Sequence, residues 1–192
     1  MRDIDIRRRL RMDERLHPSE PDTRIVEELG LCQGVSRVDL AVVNGTIHGY
    51  EIKSDRDTLA RLPGQSEIYS RVLDYVTIVT APAHADNVRK VVPEWWGIWA
   101  AAENEGGIRL EALRNSVQNP GVNPFALAQL LWRDEALQAL IDRGLAAGIR
   151  SKSRREIWER LASELTLDEL GNTVRECIKS RGADWRVVSQ QV

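Results

Sequence analysis

The chain predicts an α/β fold, a mixed central sheet flanked by helices, with a small all-helical subdomain at its C-terminal end. Three observations predict it. Apolar residues alternate with a period of two through Val38, Leu40 and Val42 and again through Tyr50 and Ile52, on either side of Asn44-Gly45; that is the pattern of an antiparallel hairpin. Tyr75 to Thr80 (YVTIVT) is a short β-branched and aromatic run following a helical segment, as a buried parallel strand would be. Past Asn123 the texture turns entirely helical. Residues 1–114 are therefore expected to form the α/β core, the polar stretch 115–123 (NSVQNPGVN) a linker, and 124–192 the helical subdomain.

Taken in order, Asp3 to Leu16 reads as a helix with Ile6, Leu10 and Asp13 or Leu16 along one side and Arg7, Arg8, Arg9, Arg11 and Arg15 around the rest. Its arginines have two readings: a phosphate-binding face, or a solvated face neutralised by Asp3, Asp5, Asp13 and Glu14. His17 to Pro21 breaks it. A second helix is expected over Thr23 to Leu29, capped by Asp22 or Thr23 and stopped by Gly30. Ile25, Val26 and Leu29 make its stripe, with Glu28 beside the stripe and Glu27 pointing away.

The hairpin is where chemistry enters. A two-residue loop over Asn44-Gly45 would send Asp39 and Glu51 to opposite sides of the sheet. A three-residue loop with Gly45 in the left-handed region pairs Val42 with Thr46 and Val38 with Tyr50. Then Val38, Leu40, Val42, Tyr50 and Ile52 share the core face, and Asp39, Glu51 and Lys53 the opposite one. Because a one-residue slip flips a whole strand, the apolar pattern selects the second register. Two carboxylates side by side repel each other unless a cation replaces a proton, and hard oxygen ligands suit Mg²⁺ or Mn²⁺. A lysine two residues after the second carboxylate is placed to orient a water or neutralise a developing phosphoryl charge.

After Lys53 the chain is expected to form a helix near Thr58 to Asp74, interrupted at Pro63-Gly64, with Gln65 and Tyr69 four apart on one face. Arg56, Asp57 and Arg61 are candidates for phosphate contacts. A helix over His84 to Val92, a strand over Trp95 to Trp99, a turn at Glu105-Gly106-Gly107 and a strand over Ile108 to Leu113 follow. At least two of the tryptophans are expected to close a core edge, although aromatics also stack on bases. In the last third, helices are expected over Pro124 to Trp132, Asp134 to Arg143, Arg154 to Leu161 and Leu167 to Arg181, with Trp185-Arg186 closing the chain.

Asp39, an eleven-residue gap, then Glu51-Ile52-Lys53 resembles the core of the PD-(D/E)XK nuclease superfamily, and Gln65-Ser66-Glu67-Ile68-Tyr69 resembles the Q-x-x-x-Y signature of its RecB-like branch. The resemblance spans roughly Glu27 to Thr80. It implies a restriction-endonuclease-like core and metal-dependent phosphodiester hydrolysis, most naturally of DNA. Asp39, Glu51 and the carbonyl of Ile52 would hold Mg²⁺ or Mn²⁺, with Glu28 joining through water. Lys53 would position the nucleophilic water, and Gln65 and Tyr69 would orient the substrate or the lysine. The superfamily usually has one more strand before or within the hairpin, which the sequence does not place. Separately, Leu140, Arg143-Gly144-Leu145, Gly148, Lys152, Ile157 and Arg160-Leu161 resemble a SAP-like helix-loop-helix, with Arg150, Lys152, Arg154 and Arg155 as its nucleic-acid-binding cluster at a helix start; the other reading is an idle basic loop. The runner-up for the whole chain is a nuclease-fold DNA-binding or regulatory protein with little or no catalysis.

Composition bounds these readings. A net charge of −2 and a pI near 6.0 exclude a wholesale basic coat but not local patches. Cys32 and Cys177 stand alone, which favours a reducing cytosol. No apolar run approaches the ~20 residues that span a bilayer, and the Arg-rich start lacks the apolar core of a signal peptide. A soluble cytoplasmic protein is expected, without membrane contact. A homodimer is one assembly the resemblance allows, since restriction-type enzymes dimerise to cut both strands.

Overall fold

A computed structural model describes residues 1–16 and 22–182; the expected break at His17 to Pro21 and Trp185-Arg186 lie outside them. Six strands, β1 (Arg24–Leu31), β2 (Ser36–Val43), β3 (Ile47–Lys53), β4 (Tyr75–Thr80), β5 (Gly97–Asn104) and β6 (Gly107–Arg114), form one sheet in sequence order. The β1/β2, β2/β3 and β5/β6 pairs are antiparallel, while β3/β4 and β4/β5 are parallel. The sheet is therefore mixed, and helices flank it. Helix α1 (Asp3–Arg11) lies on one face. The other face carries α2 (Leu62–Ser70), α3 (Ala85–Val91) and the C-terminal helices α4 (Pro124–Ala128), α5 (Arg133–Asp142), α6 (Arg154–Glu164) and α7 (Leu167–Ser180). Both faces of the sheet are consequently buried, which is why YVTIVT carries no charge and is buried from Val76 to Thr80 rather than alternating.

The larger core joins Val26, Leu29, Val38, Ala41, Val43, Ile47 and Ile78 of the sheet to Tyr69, Leu73, Trp96, Leu140, Trp158, Leu161 and Val174. The smaller one seats Ile6, Leu10 and Leu16 against Leu40, Val42, Tyr50, Ile52, Val79 and Trp99. Gly49 is required where the hairpin meets the helices: a Cβ there would lie 2.5 Å from Leu73 Cδ1 and 3.1 Å from Val38 Cγ2. The stretch 115–123 has no helix or strand, and Asn119 in it is buried, donating to the carbonyls of Ser70 (2.7 Å) and Leu73 (2.8 Å). Among the described residues no helix is long and apolar enough to cross a membrane.

Several expectations are corrected. Thr23 to Leu29 is not a helix; from Arg24 on it belongs to β1. Ile25, Val26 and Leu29 mimic a helical stripe because β1 skips a beat at Glu28, whose φ is +53°. Val26 and Leu29, three apart, thus reach the same core. The partner strand skips with it: Val38 sides with Ala41 and Val43, not with Leu40 and Val42 as expected. In the hairpin Val43 pairs with Ile47 and Leu40 with Tyr50, two residues from the expected register. An even shift leaves Leu40, Val42, Tyr50 and Ile52 together on one side, as expected; only Val38, beyond the skipped beat, changes sides. Gly45 is not left-handed; Asn44 closes the three-residue loop instead, its Oδ1 accepting the Thr46 N–H at 3.0 Å. Pro63 does not interrupt a helix but starts α2 in its first turn, where a missing N–H costs nothing. The first helix ends at Arg11, with a 3₁₀ turn over Glu14–Leu16. The first C-terminal helix stops at Ala128 rather than Trp132, and the strand expected from Trp95 begins at Gly97.

Candidate active site

The C-terminal end of β3 delivers Glu51, Ile52 and Lys53 to a cleft of about 720 Å³ also lined by Asp3, Glu28, Asp39, Arg37, Arg61 and Gln65. Asp39 and Glu51 come one from each strand, just beyond the last ladder pair, Leu40–Tyr50. Here the Asp39 side chain takes over from the backbone: its Oδ2 accepts the Ile52 N–H at 2.7 Å. The skipped beat at Glu28 lies between the pairs Glu27–Leu40 and Leu29–Val38. The irregularity in the sheet thus coincides with the two expected acids of β1 and β2.

Glu51 is 2% exposed and bound on every side. Its Oε1 accepts from Lys53 Nζ at 2.5 Å and from Gln65 Nε2 at 2.6 Å, and its Oε2 accepts the Tyr69 hydroxyl at 2.6 Å. Tyr69 also reaches the Arg37 carbonyl and stacks on the fully buried Trp96, with ring centroids 5.8 Å apart. Burial and the Glu51 charge together hold the Tyr69 hydroxyl protonated, well above its ordinary range. Gln65 Oε1 is buried without a partner among the described residues. Burial first, and then the Glu51 charge, push the Asp39 carboxyl up from 3.8 to about 7 against the opposing pull of the Ile52 N–H and Arg7. That rise marks a pair of carboxylates short of positive charge.

The residue that sequence reasoning missed is Arg7. From α1 its guanidinium donates to Glu28 Oε1 (2.7 Å), Asp39 Oδ1 (3.0 Å) and the Asp39 carbonyl (3.3 Å), and it pairs with Asp3 Oδ1 at 3.4 Å. The Arg-rich helix was visible, but nothing in its spacing singles out one arginine that contacts a residue 32 positions away. Glu28 lines the cleft, from a strand rather than the expected helix.

Asp39, Glu51, Lys53, Gln65 and Tyr69 thus come together around one cleft, with Ile52 between the acids. A divalent cation is tested by the donor set. Asp3, Glu28, Asp39 and Glu51 face only Arg7 and Lys53 within the contacting cluster, a surplus of negative charge. The hard oxygens of Asp39 and Glu51 therefore fit such an ion. Among the described residues no three His, Cys, Asp or Glu side chains gather into a ready cage; the donor set is a carboxylate pair.

The basic cluster is exposed at the start of α6. Ser153 caps that helix in a reciprocal box with Glu156. Arg154 donates to Gln33 Oε1 at 3.2 Å and lies over the Trp158 ring. Lys152 pairs with Glu156 and Arg155 with Glu159, and Arg150 has no ion pair among the described residues. Gln33 sits in the β1–β2 turn, next to Gly34 and Val35, which line the cleft with Ser36 and Arg37 of β2, so Arg154 contacts a residue adjacent to the cleft lining.

Residues 11–187 match the family described as Bacteriophage P4 protein cII. The chain belongs to that family. Protein cII of Enterobacteria phage P4 is 31% identical over 160 residues, covering 83% of this chain and 60% of that protein; the chain thus spans less than two thirds of that relative's length. A solved protein of unknown function from Silicibacter pomeroyi is 22% identical, covering 74% of this chain and 92% of that one, with a TM-score of 0.42.

Proposed function

We propose that this member of the cII family is a metal-dependent nuclease acting on DNA in the cytoplasm, a member of the PD-(D/E)XK superfamily in its RecB-like branch. The observation that carries the reading is the Glu51 carboxylate, buried with Lys53 at the floor of an open cleft and facing Asp39. A buried ion pair is a poor stabilising device, because desolvating both charges offsets most of their attraction. Held by Lys53, Gln65 and Tyr69 while beside a second acid, it has the makings of a preorganised reaction site.

Asp39, Glu51 and the Ile52 carbonyl would hold Mg²⁺ or Mn²⁺, which supplies Lewis-acid polarisation of a phosphodiester and an acidified water. Glu28, whose Oε1 is engaged by Arg7, is left a water-bridged part. Lys53, fixed by Glu51, offers its ammonium to the developing phosphorane charge. Gln65 presents its unpartnered Oε1 to an incoming water. Tyr69, kept protonated, fixes Glu51 rather than moving a proton. Arg37 and Arg61 at the cleft, with Arg154, Arg150, Lys152 and Arg155 beyond Gln33, offer a cationic track for a phosphate backbone.

Digestion of linear, circular and single-stranded DNA with Mg²⁺ or Mn²⁺ tests this, comparing wild type with Glu51→Ala and Lys53→Ala. Each variant should lose about 10²-fold or more in rate while keeping its circular dichroism spectrum. A second reading, nucleic-acid binding without cleavage, draws on Arg7, which already neutralises part of the acidic cluster. Wild type that binds DNA in a salt-sensitive manner yet cuts nothing would establish it.

A further inference from the structure

Four oxygens from three separate elements surround one guanidinium at the back of the cleft: Asp3 Oδ1 of α1, Glu28 Oε1 of β1, and Oδ1 and the carbonyl of Asp39 on β2. Hard oxygens brought together in this way ordinarily surround a cation. Here the cation is part of the chain. The Arg7 side chain is 14% exposed, and Ile6 and Leu10, both fully buried, seat α1 against the sheet. An arginine cannot shed its charge, so the positive charge at this point is permanent. Glu28, for its part, is held in the left-handed backbone region, with φ +53°, a strained arrangement for a residue other than glycine.

We propose that the guanidinium of Arg7 stands where a second divalent cation would, so that this site works with a single metal ion. The proposal rests on the reading that Asp39 and Glu51 bind one metal. Asp39 lies between the two positions. On its Glu51 side it shares a carboxylate neighbour and the end of β3; on its Glu28 side its Oδ1 is committed to Arg7. Two-metal nucleases place their ions ~4 Å apart on a shared carboxylate. A second ion between Asp39 and Glu28 would have to displace Arg7 or share its oxygens beside a fixed positive charge, which repels it. Arg7 thereby supplies the second positive charge without recruiting it from solution, and it acts on substrate only through Asp39 and Glu28, as a positioning residue.

Metal stoichiometry, read without any reaction, tests this. Mn²⁺ is titrated into the full chain, free Mn²⁺ being followed by electron paramagnetic resonance, for wild type, Arg7→Gln, Arg7→Lys and Glu51→Gln, each checked for fold by circular dichroism. Wild type and Arg7→Lys should bind about one Mn²⁺ per chain, and Arg7→Gln, with Asp3 and Glu28 released, about two. Wild type binding about two, or an Arg7→Gln isotherm that superimposes on wild type, overturns the proposal and leaves the metal reading standing. Wild type binding none, or binding unchanged by Glu51→Gln, overturns the metal reading itself and the proposal with it. Should Arg7→Gln fail to fold, the wild-type and Arg7→Lys stoichiometries still decide.

Discussion

Asp39→Asn should make the protein more stable. The Asp39 carboxyl is raised from 3.8 to about 7 by burial and by Glu51, and each unit corresponds to about 1.4 kcal/mol against the charged form, about 4 kcal/mol in all. The direction follows from linkage: the folded state binds the Asp39 proton more tightly than the unfolded state does. This group's contribution is therefore fully favourable below pH ~4 and is lost as pH rises through ~7. Asparagine mimics the protonated acid. Its Oδ1 still accepts the Ile52 N–H, which Asp39 meets at 2.7 Å, and Arg7 keeps Glu28 and Asp3. What it gives up is the 3.0 Å contact between Arg7 and Asp39 Oδ1. Deducting about 1–2 kcal/mol for a part-buried charged hydrogen bond leaves a gain of about 2–3 kcal/mol at pH 8, or roughly 4–12 °C in Tm for a chain of this size. Urea denaturation of both proteins from pH 4 to 8 gives the difference curve, which isolates Asp39 from the other carboxylates. Mg²⁺ should stabilise wild type and leave Asp39→Asn nearly unaffected. A variant less stable than wild type at pH 8, or a difference that does not grow with pH, would refute the argument that Asp39 and Glu51 strain against each other.

The remaining predictions are simpler. His48, pushed down from 6.5 to about 4 by burial, stays neutral beside Thr77 Oγ1 at 2.9 Å; as pH falls from ~6.5 to ~4 wild type should lose up to about 3 kcal/mol relative to His48→Gln, measured by the same denaturations. Replacing Arg150, Lys152, Arg154 and Arg155 together with alanine should weaken duplex DNA binding and lower the slope of log K against log salt by up to about 4, measured by fluorescence anisotropy. An unchanged slope would make the cluster a solvated loop.

What was legible in the sequence, and what was not, divides along the range of the interaction that decides it. The shared face of Glu51 and Lys53 could be read because strand alternation is local and tolerates an even shift of register; Asp39 stands at the beat that β2 skips, and its place could not be read that way. The helix starts at Arg154 and Leu167 could be read for the same reason: in the structure Ser153 and Thr166 cap them, each with its glutamate three residues on. β1 could not. Ile25, Val26 and Leu29 are spaced for a helix, and only a positive φ at a glutamate, which no residue type announces, turns that spacing into a strand with one beat missing. The same conformation is what allows Glu28 to meet Arg7 across the β1–β2 pair. Arg7 was hidden more deeply still, among five arginines whose local surroundings are alike. The sequence thus reveals the two carboxylates and the lysine that meets Glu51, and withholds the arginine that meets Asp39. The charge that meets Asp39 is drawn from a remote element, whereas Lys53, encoded two residues from Glu51, can pair with it in the unfolded chain as well and contributes less to holding the folded site together.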